Sequence, residues 1–204
     1  MRMLRHSFFS IFLVATALSF LLGGPWLWLG FGFLTFGAVS FDIFLPDDLS
    51  SHADSAPLLL NTYLFLTLPL IYINLLCFNW QMSAGDFLGL GAALQSLGFD
   101  LNPEKINRTF MQNIGAYFSI SLMISAAGTV TAHELVHRVW DRKSLIVGRW
   151  LLAPSCDTGF AIEHVYGHHA NLATDKDPSS ARRGEGFWRF FPRSAMERSR
   201  VLGR

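Results

Sequence analysis

Four long apolar stretches, at residues 8–22, 26–45, 58–80 and 114–137, alternate along this chain with short polar or glycine-rich joints. Residues 58–80 run for 23 positions without a charge, and about 20 helical residues suffice to cross the hydrocarbon core of a bilayer. The stretch 26–45 is also long enough to span. Residues 8–22 are uncharged but short, and they follow Arg2 and Arg5 as the core of a secretory signal would. No small-residue cleavage pattern comes after them, and Gly23-Gly24-Pro25 leads straight into the next apolar run. A helical hairpin with a tight turn is therefore predicted in place of a cleaved leader. The fourth stretch continues helically into the sequence HELVHR, residues 133–138.

Residues 87–99 are apolar over only 13 positions, too few to span and suited to a re-entrant or interfacial segment. Charge settles the count of crossings. Arg2 and Arg5 lie at one end, and 12 of the 16 Lys and Arg lie at or after Arg138. Basic flanks favour the cytoplasmic side. Four crossings put both flanks there; a fifth would not. The prediction is an all-α integral-membrane bundle of about four transmembrane helices, with an outer-face excursion over 81–113. A cytoplasmic histidine-rich region over 133–204 completes a single domain.

Composition agrees with a lipid setting. Hydrophobic residues make up 51% and charged ones 15%, against roughly 25% charge in soluble domains. After Arg138 the chain turns polar, with a short apolar run at 145–154 and a second predicted helix at 156–169. From Asn171 onward Asp, Pro, Ser, Gly and Arg mark an ordered loop or a surface region. Phe187, Trp188, Phe190 and Phe191 beside Arg189 and Arg193 read as an interfacial anchor. Cys77 and Cys156 are too few and too far apart for a disulfide framework or a cysteine metal site. Nucleic-acid binding is excluded, because the basic residues flank membrane spans and no reading module accompanies them.

The chemistry sits in the histidines. His133, His137, His164, His168 and His169 fall within 37 residues. Partners at i, i+4 lie about one helical turn apart, so both rings of a pair can reach one ion. His133 pairs with His137 and His164 with His168, while His169 sits about 100° further round an ideal helix. Two such pairs and a fifth ring offer more nitrogens than one four-coordinate zinc uses. They point to a transition-metal site with room for two ions, and imidazole alone does not name the metal. HELVH also fits the H-E-x-x-H zincin pattern, in which Glu134 would serve as general base. A mononuclear protease has no use for the EHVYGHH block, which leaves it as the alternative reading. His6 and His52 lack metal-ligand spacing and read as surface residues.

HELVHR followed by EHVYGHHANLATDKDPSSARRGE resembles the first two histidine boxes of the membrane alkane 1-monooxygenases (alkane omega-hydroxylases). That family lies within the integral-membrane fatty acid desaturase and hydroxylase superfamily. The loop after the second box carries the specific signal: Ala173-Thr174, Asp177-Pro178, Ala181-Arg182 and Gly184-Glu185 in order. It favours the alkane branch over a desaturase or hydroxylase acting on lipid. The resemblance implies a non-haem di-iron centre, with His133, His137, His164, His168 and His169 as ligands. It also implies insertion of one oxygen atom of O2 into a terminal C–H bond of an alkane. Electrons would come from NAD(P)H through a reductase and rubredoxin or a similar iron–sulfur carrier. The setting would be the bacterial inner membrane, with the N-terminus and histidines cytoplasmic and the hydrocarbon arriving from the bilayer.

Metal-bound imidazoles usually donate their second N–H to a carboxylate or carbonyl. Glu134, Glu163, Asp175, Asp177 and Glu185 are near enough in sequence for this, and salt bridges to Arg138, Arg182 or Arg183 are the competing role. Asp42 lies inside an apolar stretch, where an ionisable group is functional by default; helix termination or snorkelling would also account for it. The family pattern carries further spans and a third histidine box that this sequence lacks. The chain is thus expected to be a partial member, without hydroxylase activity by itself.

Overall fold

The computed structural model describes residues 2–44 and 57–202. His52, Asp47 and Asp48 lie outside them, as do the side chains of His6 and Asp42. The described residues are helical with no strand, and they form two compact units, 1–130 and 131–204.

In the first unit, α1 (Arg2–Leu22) packs along α3 (Pro57–Met82). Between them in sequence runs α2, residues 24–44, a helical run that begins as a 3-10 turn over Gly24–Trp28. Gly23 and Gly24 take φ of 69° and 55°, a left-handed backbone that costs glycine nothing. Pro25 then fits the first helical positions, where a missing N–H is no loss. The predicted hairpin forms on this turn. Its core gathers Ala17, Phe20, Leu27, Cys77, Ala116 and Ile120.

Buried polar groups fasten these helices together. Asn74 donates to the Leu13 carbonyl at 2.9 Å, which ties α3 to α1. Ser119 donates to the Leu27 carbonyl at 2.8 Å and accepts from the Phe31 N–H at 3.0 Å. It thereby satisfies backbone groups at the junction inside α2. Two short helices follow α3, namely α4 (Leu90–Ser96) and α5 (Asn102–Ile106). The predicted re-entrant stretch 87–99 thus contains one two-turn helix. The Lys105 ammonium and the Arg108 guanidinium meet carbonyls at the C-terminal end of α3, where cations oppose the helix dipole.

Helix α6 (Phe110–Val136) opens on a capping box made by Thr109 and Gln112. Its Gly115 faces Trp28, and a Cβ there would meet the indole ring at 2.7 Å. Gly115→Ala is expected to lower stability by about 1–3 kcal/mol through overpacking. Thermal unfolding in detergent checks this, and an unchanged Tm contradicts the packing described. Among the described residues, Asn61–Met82 and Phe110–Val136 are long and apolar enough to cross a membrane. The apolar part of α1, Phe9–Leu22, is shorter than a span, and α2 is broken by its 3-10 start and a π-helical turn at Phe33–Gly37.

The second unit starts in the last turn of α6. There Ala132, Leu135 and Val136 are buried on one side, and His133 and His137 point to the other. Helix α7 (Arg142–Leu152) is capped by Asp141, whose carboxylate accepts from Lys143 and Ser144 N–H. Its Gly148 lies against Val136, with a Cβ position only 2.9 Å from the valine methyl. Helix α8 covers residues 160–171 and starts four residues later than predicted. Cys156, with φ 57°, and a turn through Asp157 intervene before it. Helix α9 (Phe187–Leu202) was not expected at all: Pro192 within it disfavours helix, yet the segment is helical on both sides of the proline.

Candidate metal centre

His133 stands on the last turn of α6 and His137 directly follows that helix, with ring centroids 4.7 Å apart. The second pair departs from the predicted spacing. Residues Glu163–His168 form a π-helical turn, in which the His169 N–H donates to the His164 carbonyl five residues back. One extra residue per turn brings His169, instead of His168, onto the face of His164. Ring nitrogens of His133, His137, His164 and His169 consequently lie within 4.8 Å of one another. His164 is central. Its Nε2 is 2.8 Å from His133 Nε2, 3.0 Å from His169 Nε2 and 3.2 Å from His137 Nε2.

No ordinary hydrogen-bond network accounts for that convergence. Each Nε2 of a neutral imidazole carries either one proton or one lone pair, so His164 can satisfy only one of three neighbours. Two nitrogens bound to one ion at ~2.1 Å sit about 3.0 Å apart at right angles and about 3.4 Å apart at the tetrahedral angle. The separations of 3.0 and 3.2 Å fall in that range and the 2.8 Å contact lies just below it, and the donor set fits a transition metal. Burial, and then the neighbouring imidazoles, push the pKa of His164 down to about 4. The ring is therefore neutral near pH 7, which is the form that binds metal. Phe160, one turn before His164, stacks on its ring at 4.3 Å and 13° and covers that face.

His168 turns the other way. Its Nδ1 donates to Asp177 at 2.9 Å, which leaves Nε2 as the available donor atom. Asp177 is buried and also accepts from the Ser180 hydroxyl and the Ser179 N–H. The local sequence Asp177-Pro178-Ser179-Ser180 folds this way because an Asx side chain reaches the N–H two residues on while proline pre-sets the turn. Burial raises the carboxyl pKa, but the donors from Ser180, His168 and Ser179 outweigh it and hold Asp177 below the ordinary carboxylate range.

The other sequence-named carboxylates go elsewhere. Glu134 is exposed and paired with Arg138 at 3.0 Å, the salt-bridge role, and so it is not turned to the imidazoles as a zincin base would be. Glu163 is 1% exposed. It accepts from the Ser179 hydroxyl at 3.0 Å and lies 3.0 Å from Arg198 Nε, an ion pair whose N–H is not aligned along the contact. Arg198 also bridges both oxygens of Asp157 at 3.0 Å. Glu185 binds the Arg193 guanidinium with both oxygens at 2.7 Å, and together with the Arg182 N–H this holds its pKa down to about 2. Asp175 lines a cleft with Tyr166, Asn171, Lys176 and Arg200, away from the four converging rings. Sequence reasoning places Arg193 in the interfacial anchor and does not single out Phe160, Asp157 or Arg198. Only the i, i+4 spacing of Phe160 from His164 could have flagged one of them.

Comparison with known proteins shows what the segment around the site is similar to. The fatty acid desaturase family matches residues 108–202, which include all five clustered histidines. Alkane 1-monooxygenase 1 of Pseudomonas aeruginosa is 39% identical over 83 residues, covering 41% of this chain and 22% of that protein. Alkane 1-monooxygenase of Acinetobacter baylyi is 44% identical over 73 residues, covering 36% of this chain and 18% of that protein. A third, from Ectopseudomonas oleovorans, is 28% identical over 132 residues, 62% of this chain and 26% of its own length. The chain spans about a fifth to a quarter of these relatives. No solved structure matches it. The chain is thus similar to the fatty acid desaturase family over the segment that carries its clustered histidines, and to alkane 1-monooxygenases over about two fifths of its length.

Proposed function

We propose that this chain carries part of a membrane non-haem di-iron oxygenase that hydroxylates the terminal carbon of an alkane. The reading rests on one observation above the others: three Nε2 atoms crowd around that of His164 at separations close to those of ligands on a common ion. The proposed ligands are His133, His137, His164 and His169, with His168 contributing through Nε2. Iron bound there supplies the O2-activating chemistry that an unactivated methyl group demands and that no side chain offers.

The chain's own residues hold and orient. Asp177 keeps His168 in the tautomer that presents Nε2. Phe160 excludes water from one side of His164. Ser179 joins Asp177 to Glu163, and so connects the loop to the residue preceding His164. Four crossings, with the histidine region cytoplasmic and the whole chain forming one desaturase-like domain, belong to the same proposal. So do an apolar hydrocarbon as substrate, delivered through the bilayer, and electrons from NAD(P)H by way of a reductase and rubredoxin.

The test is metal loading of the purified chain in nanodiscs, with Fe(II) for stoichiometry and Co(II) as a spectroscopic probe. Iron retained through desalting, with cobalt bands of nitrogen ligation, is the expected outcome. A single tightly held zinc accompanied by peptide cleavage would overturn it in favour of the protease. Asp177→Ala is expected to weaken metal affinity about 10–100-fold, as loss of an orienting carboxylate does. Chelator competition measures this, and unchanged affinity would reduce Asp177 to a loop-building role.

A further inference from the structure

Helix α9 is amphipathic in the reverse sense. Phe187, Trp188, Phe191, Pro192, Ala195 and Met196 recur at the spacing of one helical stripe, and all six are exposed. Trp188 is 85% exposed, Phe187 62%, Phe191 60% and Met196 59%. Three of its polar side chains turn inward instead. Arg193 binds Glu185, Glu197 and the Ser180 carbonyl, Ser194 is buried, and Arg198 reaches Asp157 and Glu163. A helix bathed in water on its outer side shows the opposite arrangement.

The unpaired charge next to the stripe is positive. Glu185 and Glu197 are both engaged by Arg193, while Arg183 and Arg189 are exposed. Exposed aromatic rings beside free-standing cations match the headgroup region of a bilayer, where rings sit at the interface and arginines meet lipid phosphate. With 16 residues, α9 is about 24 Å long, short of a span and suited to lying in the interface plane.

We propose that the outward stripe of α9 lies on the surface of an anionic phospholipid bilayer. Phe190 and Arg193, which sequence alone groups with the anchor, are not part of the contact: the Arg193 guanidinium lies 5.5 Å from the Phe190 ring on the inner side. The inference rests on the reading of the chain as a membrane protein, not on the chemistry of the histidines. Through Arg198, the lipid-bound helix also holds Glu163, the neighbour of His164.

A nitroxide on Trp188→Cys, in the full 204-residue chain carrying Cys156→Ser, reports the surroundings of the stripe; Cys77 is buried and stays in place. The host is a phosphatidylcholine nanodisc with or without phosphatidylglycerol, and Lys176→Cys serves as the water-facing reference. With phosphatidylglycerol, collision with oxygen is expected to exceed collision with a water-soluble nickel chelate severalfold, and the ratio should fall severalfold without that lipid. Nickel access equal to the reference overturns the proposal. An immobilised spectrum that neither reagent relaxes means a protein surface covers the stripe, and it also overturns the lipid assignment. A ratio indifferent to phosphatidylglycerol overturns the anionic part. Iron binding measured on the same samples separates these outcomes from failure of the metal site.

Discussion

His164→Ala is expected to abolish metal retention, not merely to weaken it. Every close nitrogen–nitrogen contact in the cluster runs through His164 Nε2, at 2.8, 3.0 and 3.2 Å. Losing any other single ring leaves a hub and two neighbours. Losing this one leaves His133, His137 and His169 without the group around which they converge. Removal of an orienting partner beyond the ligands already costs about 10–100-fold in affinity, and loss of the shared ligand exceeds that. The alanine also leaves Phe160 without its stacking partner, so helix content by circular dichroism accompanies the metal assay. Iron content after desalting should fall to background with helicity retained. Retention at the unaltered level, with the same cobalt spectrum, contradicts the geometry.

The next largest effect is expected at Arg198. Its guanidinium is the counter-charge to Glu163, whose side chain is buried while that of Arg198 is about a third exposed. Arg198→Met strands the carboxylate with a single hydroxyl donor, Ser179. Breaking a buried ion pair from one side costs about 3–5 kcal/mol, and the partial exposure of Arg198 puts the expectation near the lower figure, ~3 kcal/mol. Much of that loss reflects an uncompensated charge, so Glu163→Gln combined with Arg198→Met should recover most of it. Thermal unfolding in detergent compares both variants with the unaltered chain. If the double variant is no more stable than Arg198→Met, the loss comes from the rest of the guanidinium's contacts, with Asp157 the first suspect.

The sequence makes the helical framework and the histidine cluster legible for a simple reason: both are local periodicities. Apolar runs locate α1, α3 and α6 to within a few residues, and HxxxH places His133 beside His137. What escapes is whatever depends on a local departure from 3.6 residues per turn or on a distant partner. The π-helical turn at Glu163–His168 exchanges His169 for His168 in the cluster, and nothing in EHVYGHH announces the extra residue. Glu163 and Arg198 are 35 positions apart in the chain, so their pairing carries no spacing signal. Glu134 and Arg138 do have i, i+4 spacing, and there the sequence itself offers the salt bridge. Helix α9 is hidden by Pro192 and by an apolar stripe that faces outward, the reverse of the usual cue.

X-ray absorption at the iron edge of the loaded chain tests the central claim most directly. A nitrogen-rich coordination shell with the outer scattering of several imidazole rings is expected, all of it lost in His164→Ala. An oxygen-only shell without ring scattering, or a spectrum indifferent to that substitution, contradicts it.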